Sequence, residues 1–254
     1  MKRLPPVKPG QIRITPEDNR LMEMPPYLNT QLTMPSWFKR ITKKEASLRT
    51  CAGVNDFLTT GMTMPLWSNI YFRPNTEHNF WESRVENMNP PLQNLVVEGF
   101  PHASTGTCPA TGVRKLEGMQ YPKIVTPWRI ETAPGWSCLV LPISWEPNPD
   151  YDVLPALIHT DFYHVANIVL NIKTNTDFMI KYGTPMLQLI PFERSKSLES
   201  IEFADEEHYK YVASKGLGSG FIMPSLGSAG PYRREKHRVD RELAEMPLKK
   251  WFRK

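Results

Sequence analysis

The sequence has no run of about 18 apolar residues, which is the length that a helix needs to cross a bilayer. Its first residues, MKRLPPVKPG, also lack the apolar segment that a signal peptide requires. These two absences predict a soluble protein that is made in the cytosol and has no membrane partner.

Cysteine is scarce, and the three that occur, Cys51, Cys108 and Cys138, are odd in number and have no CxxC spacing. A disulfide framework or a zinc site normally shows paired, closely spaced cysteines. We therefore expect reduced thiols, no structural metal and no cofactor.

Glycine is also scarce relative to proline, with 14 glycines against 25 prolines. Proline removes a backbone donor from helices and sheet ladders, so the chain should be rich in turns and edges and poor in long helices. Seven of the prolines fall within residues 1–35. This segment is predicted to be an extended arm resembling polyproline II, without a core of its own.

The net positive charge of the chain comes from one end. Residues 231–254 contain nine Lys or Arg and four Asp or Glu, so the whole net charge of +5 belongs to this tail. A nucleic-acid groove would instead spread basic and aromatic residues over a folded face, which argues against a nucleic-acid partner. The tail ends in aromatic residues, and we predict partner contacts at Arg233, Arg234, Trp251 and Phe252.

Short apolar or alternating runs follow Met62 and are bounded by Pro, Gly, Asn or Asp. They read MPLWSNIYF, NLVVEGF, PKIVTPWRIET, WSCLVLPIS, VANIVLNIK, DFMIKY and MLQLIPFER. Short strands in this number predict a mainly β domain over residues 36–230, built as an antiparallel sandwich or barrel. Helices are predicted near residues 36–60 and 197–214. The second should pack its apolar stripe, Ile201, Phe203, Tyr209 and Val212, on the sheets.

One polar motif stands out among the strands, the HTD triplet at residues 159–161. A His-x-Asp pair is half of the two-His-one-carboxylate face that binds iron in oxygenases. The histidines that follow, His164, His208 and His237, do not supply a credible distal ligand. We therefore interpret the triplet as a histidine at the start of a strand and a structural aspartate, Asp161, that caps the adjoining turn.

The longer segment LIHTDFYHVANIVLNIKTNTDFMIKYGTPMLQLIPF resembles the C-terminal half of the dUTPase and dCTP-deaminase family. In this resemblance Asp161, Tyr163, Gly183 and Gln188 stand at the family's aspartate, tyrosine, glycine and glutamine. The resemblance implies a β-clip fold and a ligand site near Asp161, Tyr163 and Gln188.

The residues that would hold a triphosphate are absent from the corresponding interval. The family has an Arg-Ser-Ser type segment there, whereas this chain reads ISWEPNPDYDV, with no arginine and three acidic residues. Acidic groups repel phosphate, whereas guanidinium groups bind it. We therefore expect no catalytic residues and no hydrolysis of dUTP or dCTP.

A second resemblance extends over residues 50–194. It is carried by TCAGVNDFLTTGMTMPLWSNIYF, WRIETAPGWSCLVLP, LIHTD and KYGTPMLQLIPFER. These segments resemble a family of proteins from contractile-tailed bacteriophages, including those of cyanobacteria. The resemblance implies a protein of such a phage. The proline-rich and basic ends of the chain have a composition that cannot fold alone. Together these features predict a non-enzymatic structural, assembly or interaction protein that decorates the head or belongs to the neck or tail.

This second resemblance also implies the protein's surroundings. Its partners would be other phage structural proteins and further copies of the same chain, and it would be found in the virion or in the host cytoplasm. The alternative that the sequence leaves open is a β-clip protein that binds a nucleotide or another small molecule.

Overall fold

The structure is a computed structural model that describes residues 4–17, 19, 21, 27–28, 38, 40–41, 49, 51–75, 77, 80–86, 100–101, 122–144, 146–196, 200–211 and 238–241. The chain divides into two compact units. The first contains Met1–Leu32 and Thr60–Ser197, and the second contains Thr33–Thr59 and Leu198–Lys254.

The first unit is built from antiparallel strands, which confirms the predicted mainly β fold. The strands are β1 (Ile12–Pro16), β2 (Tyr27–Leu28), β3 (Met62–Pro65), β4 (Asn69–Asn75), β5 (Phe80–Glu86), β6 (Phe100–Pro101), β7 (Pro122–Thr132), β8 (Trp136–Pro142), β9 (Tyr151–Val153), β10 (Ala156–Ile158), β11 (Val165–Ile172), β12 (Phe178–Ile180) and β13 (Pro185–Glu193).

Three sheets are formed by these strands. The first has the order β1-β7-β11-β9, with β6 also paired to β7, and the second has the order β10-β8-β13-β3-β2. The third has the order β12-β4-β5. Residues of β7 alternate between buried and partly exposed along most of its length, as expected for a strand with one face on a core.

A continuous apolar core lies between the strands of this unit. Its largest fully buried side chains include Trp67, Trp128 and Phe72. Phe72 stacks on Phe178 with ring centroids 5.1 Å apart. Burial of aromatic rings of this size supplies a large part of the hydrophobic stabilisation of a β domain.

One glycine in the second sheet marks a very close backbone approach. Gly61 precedes β3 and has a φ of +73°, and a Cβ at this position would collide with the carbonyl oxygen of Leu189. Only glycine satisfies both the positive φ and the missing space. Residue 61 therefore fixes how closely the start of β3 approaches β13.

Part of the predicted N-terminal arm belongs to the first sheet. Ile12–Pro16 pairs with residues 128–132 of β7, so it is a β-strand and not a polyproline II segment. The apolar residues Ile12 and Ile14 pack against the core, and this packing stabilises the pairing of the segment with β7. Leu21 is also buried.

The second unit contains the helix α1 (Ala52–Thr59), which lies within the region predicted to be helical near residues 36–60. Residues 206–211 are also helical and lie within the region predicted to be helical near residues 197–214, whereas residues 200–205 are not helical. Three side chains of its predicted apolar stripe, Ile201, Phe203 and Tyr209, are exposed, and the prediction that they are buried is wrong. No helix in the described ranges is long and apolar enough to span a bilayer.

Candidate functional site

The HTD triplet lies in the turn that connects β10 to β11. The backbone carbonyl of His159 accepts hydrogen bonds from the N–H of Phe162 at 3.2 Å and from that of Tyr163 at 2.8 Å. These bonds close residues 159–163 into a tight turn, so that consecutive side chains point in different directions. Asp161 and Phe162 consequently meet different surroundings.

Asp161 forms a bidentate ion pair with Arg194, which directly follows the C-terminal end of β13. Arg194 donates from Nη1 to Oδ1 at 2.9 Å and from Nη2 to Oδ2 at 2.6 Å. The Asp161 side chain is only 10 % exposed. A parallel pair of charge-assisted bonds in a sheltered position is the strong form of this interaction.

A third donor reaches the same carboxylate from the turn between β7 and β8. The N–H of Gly135 donates to Oδ2 of Asp161 at 2.9 Å. Ala133-Pro134-Gly135-Trp136 closes with a bond from the N–H of Trp136 to the carbonyl of Ala133, and Gly135 has a φ of +82°. Proline followed by a positive-φ glycine is typical of a type II turn. Asp161 therefore caps this turn, whereas the sequence predicted that it caps the turn before β11.

The electrostatics of the carboxylate follow from these donors. The hydrogen bonds from Arg194 lower the pKa of Asp161 to about 2, against the opposing effect of burial and with help from the Gly135 N–H. The same hydrogen bonds raise the pKa of the Arg194 guanidinium. Asp161 is therefore ionised at neutral pH and is poorly suited to act as a general acid or base there.

Arg194 also connects the ion pair to a serine and a histidine. Its Nη1 donates to Oγ of Ser137 at 2.8 Å, and this Oγ lies 2.8 Å from Nδ1 of His159. A guanidinium can only donate, so the Ser137 hydroxyl accepts from Arg194 and has its own proton available for His159. Ser137 is fully buried. Its hydroxyl is thus a link in an internal network and is closed to an external substrate.

Thr160, the middle residue of the triplet, points into the protein. Its Oγ1 lies 2.8 Å from Oγ1 of Thr132 and 3.5 Å from Sγ of Cys138. Burial raises the pKa of the Cys138 thiol, which keeps it in the neutral and unreactive form. Cys138 is thus a buried thiol, whereas Cys51 is exposed.

The aromatic residues of the same turn face outward. Phe162 is 69 % exposed and Tyr163 is 48 % exposed. The ring of His159 stacks on that of Phe162 with centroids 5.4 Å apart. We call Phe162 and Tyr163 the aromatic pair. Sequence reasoning considered Tyr163 as a possible ligand residue and gave no role to Phe162.

The structure separates Gln188 from the other two residues of the predicted ligand site. Gln188 is buried in β13 and its Nε2 donates to the backbone carbonyl of Thr60 at 2.9 Å. Gln188 lies five positions before Glu193, the last residue of β13, and this spacing is about 17 Å along a strand. The sequence did not predict that Arg194 is the ion-pair partner of Asp161. Arg194 follows β13 directly, but this position is informative only when β13 is known to end beside Asp161.

The predicted partner contacts Arg233, Arg234, Trp251 and Phe252 lie outside the described residues. Within the described ranges, no three His, Cys, Asp or Glu residues are arranged to hold a metal ion. The His164 side chain contacts the backbone, with its Nδ1 lying 3.1 Å from the carbonyl oxygens of Ile130 and Thr160.

Comparison with known proteins identifies no family for this chain. No protein-family model matches the chain, and no curated protein matches it. Among solved structures, the native dUTPase of EIAV aligns with 12 % identity and a TM-score of 0.32, over 58 % of this chain and 84 % of that one. At this low score the alignment carries no argument, and the site is interpreted from its own geometry.

Proposed function

We propose that the protein is a non-enzymatic structural or interaction protein of a tailed bacteriophage, either head-decorating or part of the neck or tail, that binds other protein chains. The observation that carries this proposal is that the polar and aromatic side chains of the 159–163 turn have different surroundings. Its polar side chains are bonded to the protein's own groups, whereas its aromatic pair is presented to solvent.

The polar groups on the inner side of the turn are poorly placed to act on a substrate. The Asp161 carboxylate accepts from Arg194 and Gly135, and the Ser137 hydroxyl is fully buried. A carboxylate that acts as general acid or base needs a pKa near the working pH, and a nucleophilic hydroxyl needs a route to the substrate. These groups satisfy one another and hold the turn in place.

The aromatic side of the turn has the properties of a binding surface. Tyrosine and other aromatic side chains are enriched at the centres of protein interfaces, where they bury a large area at a small cost in conformational entropy. The ion pair of Asp161 with Arg194 fixes the backbone beneath the aromatic pair. A surface that is already ordered loses less entropy on binding than a loose loop does.

The same ion pair weighs against the alternative of a nucleotide-binding β-clip protein. Such a site needs cationic groups that can face phosphate oxygens. Arg194 is the arginine beside Asp161, and both of its Nη atoms donate to that carboxylate. A bound triphosphate would have to displace this internal anion.

Mass spectrometry of purified phage particles tests the proposal directly. We expect the protein to be present in particles at a reproducible copy number. Its absence from particles, together with abundance in infected cells, would contradict the structural role.

A double variant tests whether the turn makes the contact with other particle proteins. Phe162→Ser with Tyr163→Ser should be lost from particles, whereas Tyr182→Ser should be retained, because Tyr182 is similarly exposed but lies outside the turn. Equal incorporation of both variants would show that the aromatic pair is not the contact.

An activity assay addresses the alternative. Purified protein incubated with dUTP or dCTP should release neither pyrophosphate nor ammonia at enzymatic rates. Release at such rates would overturn the proposal in favour of a β-clip enzyme.

A further inference from the structure

We propose that residues 200–211, which we call the acidic aromatic segment, bind the basic C-terminal segment 231–254 of a second copy of the chain. This inference goes beyond the proposed function, because it concerns a different surface from the aromatic pair. It joins copies of the chain head to tail.

The acidic aromatic segment shows an unusual amount of apolar surface. Every residue from 200 to 211 is exposed, and Phe203 is 93 % exposed. Its large apolar side chains are Ile201, Phe203, Tyr209 and Tyr211. Isolated exposed apolar residues are normal on protein surfaces, but a group of four within eleven residues marks an interaction site.

Residues 206–211 of this segment are helical, and Oδ1 of Asp205 accepts from the N–H of His208 at 2.8 Å at the start of the helix. Lys210 pairs with Glu206 at 2.8 Å one turn away, and both side chains are exposed. Solvent screens an ion pair in such a position, so its charges remain accessible to a partner.

Charge identifies the partner. The segment has four acidic residues, Glu202, Asp205, Glu206 and Glu207, against Lys210, for a net charge of −3. Residues 231–254 have a net charge of +5 and end in Trp251 and Phe252. The two segments are therefore complementary in sign, and each brings aromatic residues to the contact. Complementary charge of this kind speeds association and fixes its register.

Phe203 offers nearly its whole ring to a partner, since it is 93 % exposed. We assign the contact to a second copy of the chain, and the concentration dependence of association tests this assignment. Each copy contains one acidic aromatic segment and one basic segment, so a contact between unlike segments leaves one of each unpaired. Contacts of this heterologous type close into rings or extend into filaments.

The experiment is sedimentation of the full-length protein at low and physiological salt, with charge-reversed variants. One variant carries Glu202→Lys with Glu207→Lys, and a second carries Arg233→Glu with Arg234→Glu. We expect the wild type to self-associate, and each variant alone to weaken association at least tenfold. Mixing the two variants should restore association as far as a heterodimer, because each retains the segment that the other has lost.

Two further variants serve as controls. Phe203→Ser should weaken association without any change of charge. Glu77→Lys with Glu146→Lys, at exposed positions of the other unit, should leave association unchanged. Circular dichroism of each variant verifies that its β unit is folded.

The outcomes separate this inference from the proposed function. A wild type that stays monomeric up to about 1 mM, or association that is insensitive to both charge reversals, overturns the inference. If Phe203→Ser is normal in both association and particle incorporation while the variants of the aromatic pair are excluded from particles, the proposed function stands and this inference fails. If the wild type associates as expected but is absent from particles, the proposed function fails and this inference stands.

Discussion

Two exposed aromatic surfaces of this protein differ in how they are supported. The aromatic pair, Phe162 and Tyr163, stands on a turn whose backbone is tied to β13 and to the β7–β8 turn through Asp161. In the acidic aromatic segment, Asp205 caps the start of the helix and Lys210 pairs with Glu206 at the surface. A surface that is tied to the core loses little entropy on binding a partner, and we expect a larger loss for the exposed segment.

The comparison shows where an ion pair matters for stability. Lys210 and Glu206 are 70 % and 80 % exposed, so solvent screens their attraction and the pair contributes little. Asp161 is sheltered and shares its carboxylate between a guanidinium and a backbone N–H. Changes at Asp161 should therefore affect folding more than changes at the exposed aromatic pair.

The largest effect is expected from removing the charge at residue 161. Asp161→Asn leaves the guanidinium of Arg194 without its carboxylate and should lower the free energy of unfolding by about 2 kcal/mol. The melting temperature should then fall by about 4 to 8 °C, as measured by calorimetry. Lys173→Ala is the matched control, because it breaks an ion pair with the exposed Asp152 and should cost less than about 1 kcal/mol. Equal losses in the two variants would contradict a special role for Asp161.

A smaller effect is expected from pH. The folded pKa of Asp161 is lowered from 3.8 to about 2, so its contribution to stability is complete above pH 3.8. This contribution is lost as the pH falls through about 2, because the folded carboxylate is then protonated. Its size is at most about 2 kcal/mol.

The measurement compares denaturant unfolding of the wild type with that of Asp161→Asn from pH 6 down to pH 2. The stability difference between them should shrink below about pH 4. A difference that stays constant down to pH 2 would show that the variant acts through packing and not through charge.

The smallest effect on folding is expected at the aromatic pair. Phe162→Ser removes a ring that is mostly exposed, so the free energy of unfolding should change by less than about 0.5 kcal/mol. Thermal unfolding of the purified variant provides the measurement. A loss of several kcal/mol would mean that the stacking on His159 supports the turn, and the ring would then be part of the core.

The strands of the first unit could be predicted from the sequence because their signal is local. β7 shows the alternation of buried and partly exposed residues that its sequence PKIVTPWRIET suggests. The N-terminal strand was obscured by proline content, although Ile12 and Ile14 have the two-residue spacing of a strand. Composition averaged over residues 1–35 concealed this short pattern.

The candidate site depends on contacts that a sequence does not display. Asp161 and Arg194 are 33 residues apart, and they meet because β13 ends next to the β7–β8 turn. The sequence grouped Asp161 with Gln188 through a resemblance, and the direction of β13 takes Gln188 away from the turn. The stripe at Ile201, Phe203 and Tyr209 had apolar residues at plausible positions, but its acidic neighbours favour contact with water.

The pairing of β1 with β7 has a consequence for how the protein is made. Arg13 bonds to Glu131, which lies 118 residues later in the chain. At ribosomal rates of 5 to 20 residues per second, β1 leaves the ribosome on the order of 10 s before its partner exists. During that interval its backbone donors and acceptors are open to any nascent strand nearby. Overexpression, which crowds such chains together, should therefore reduce the soluble yield more for this protein than for one whose first strand pairs with its neighbour.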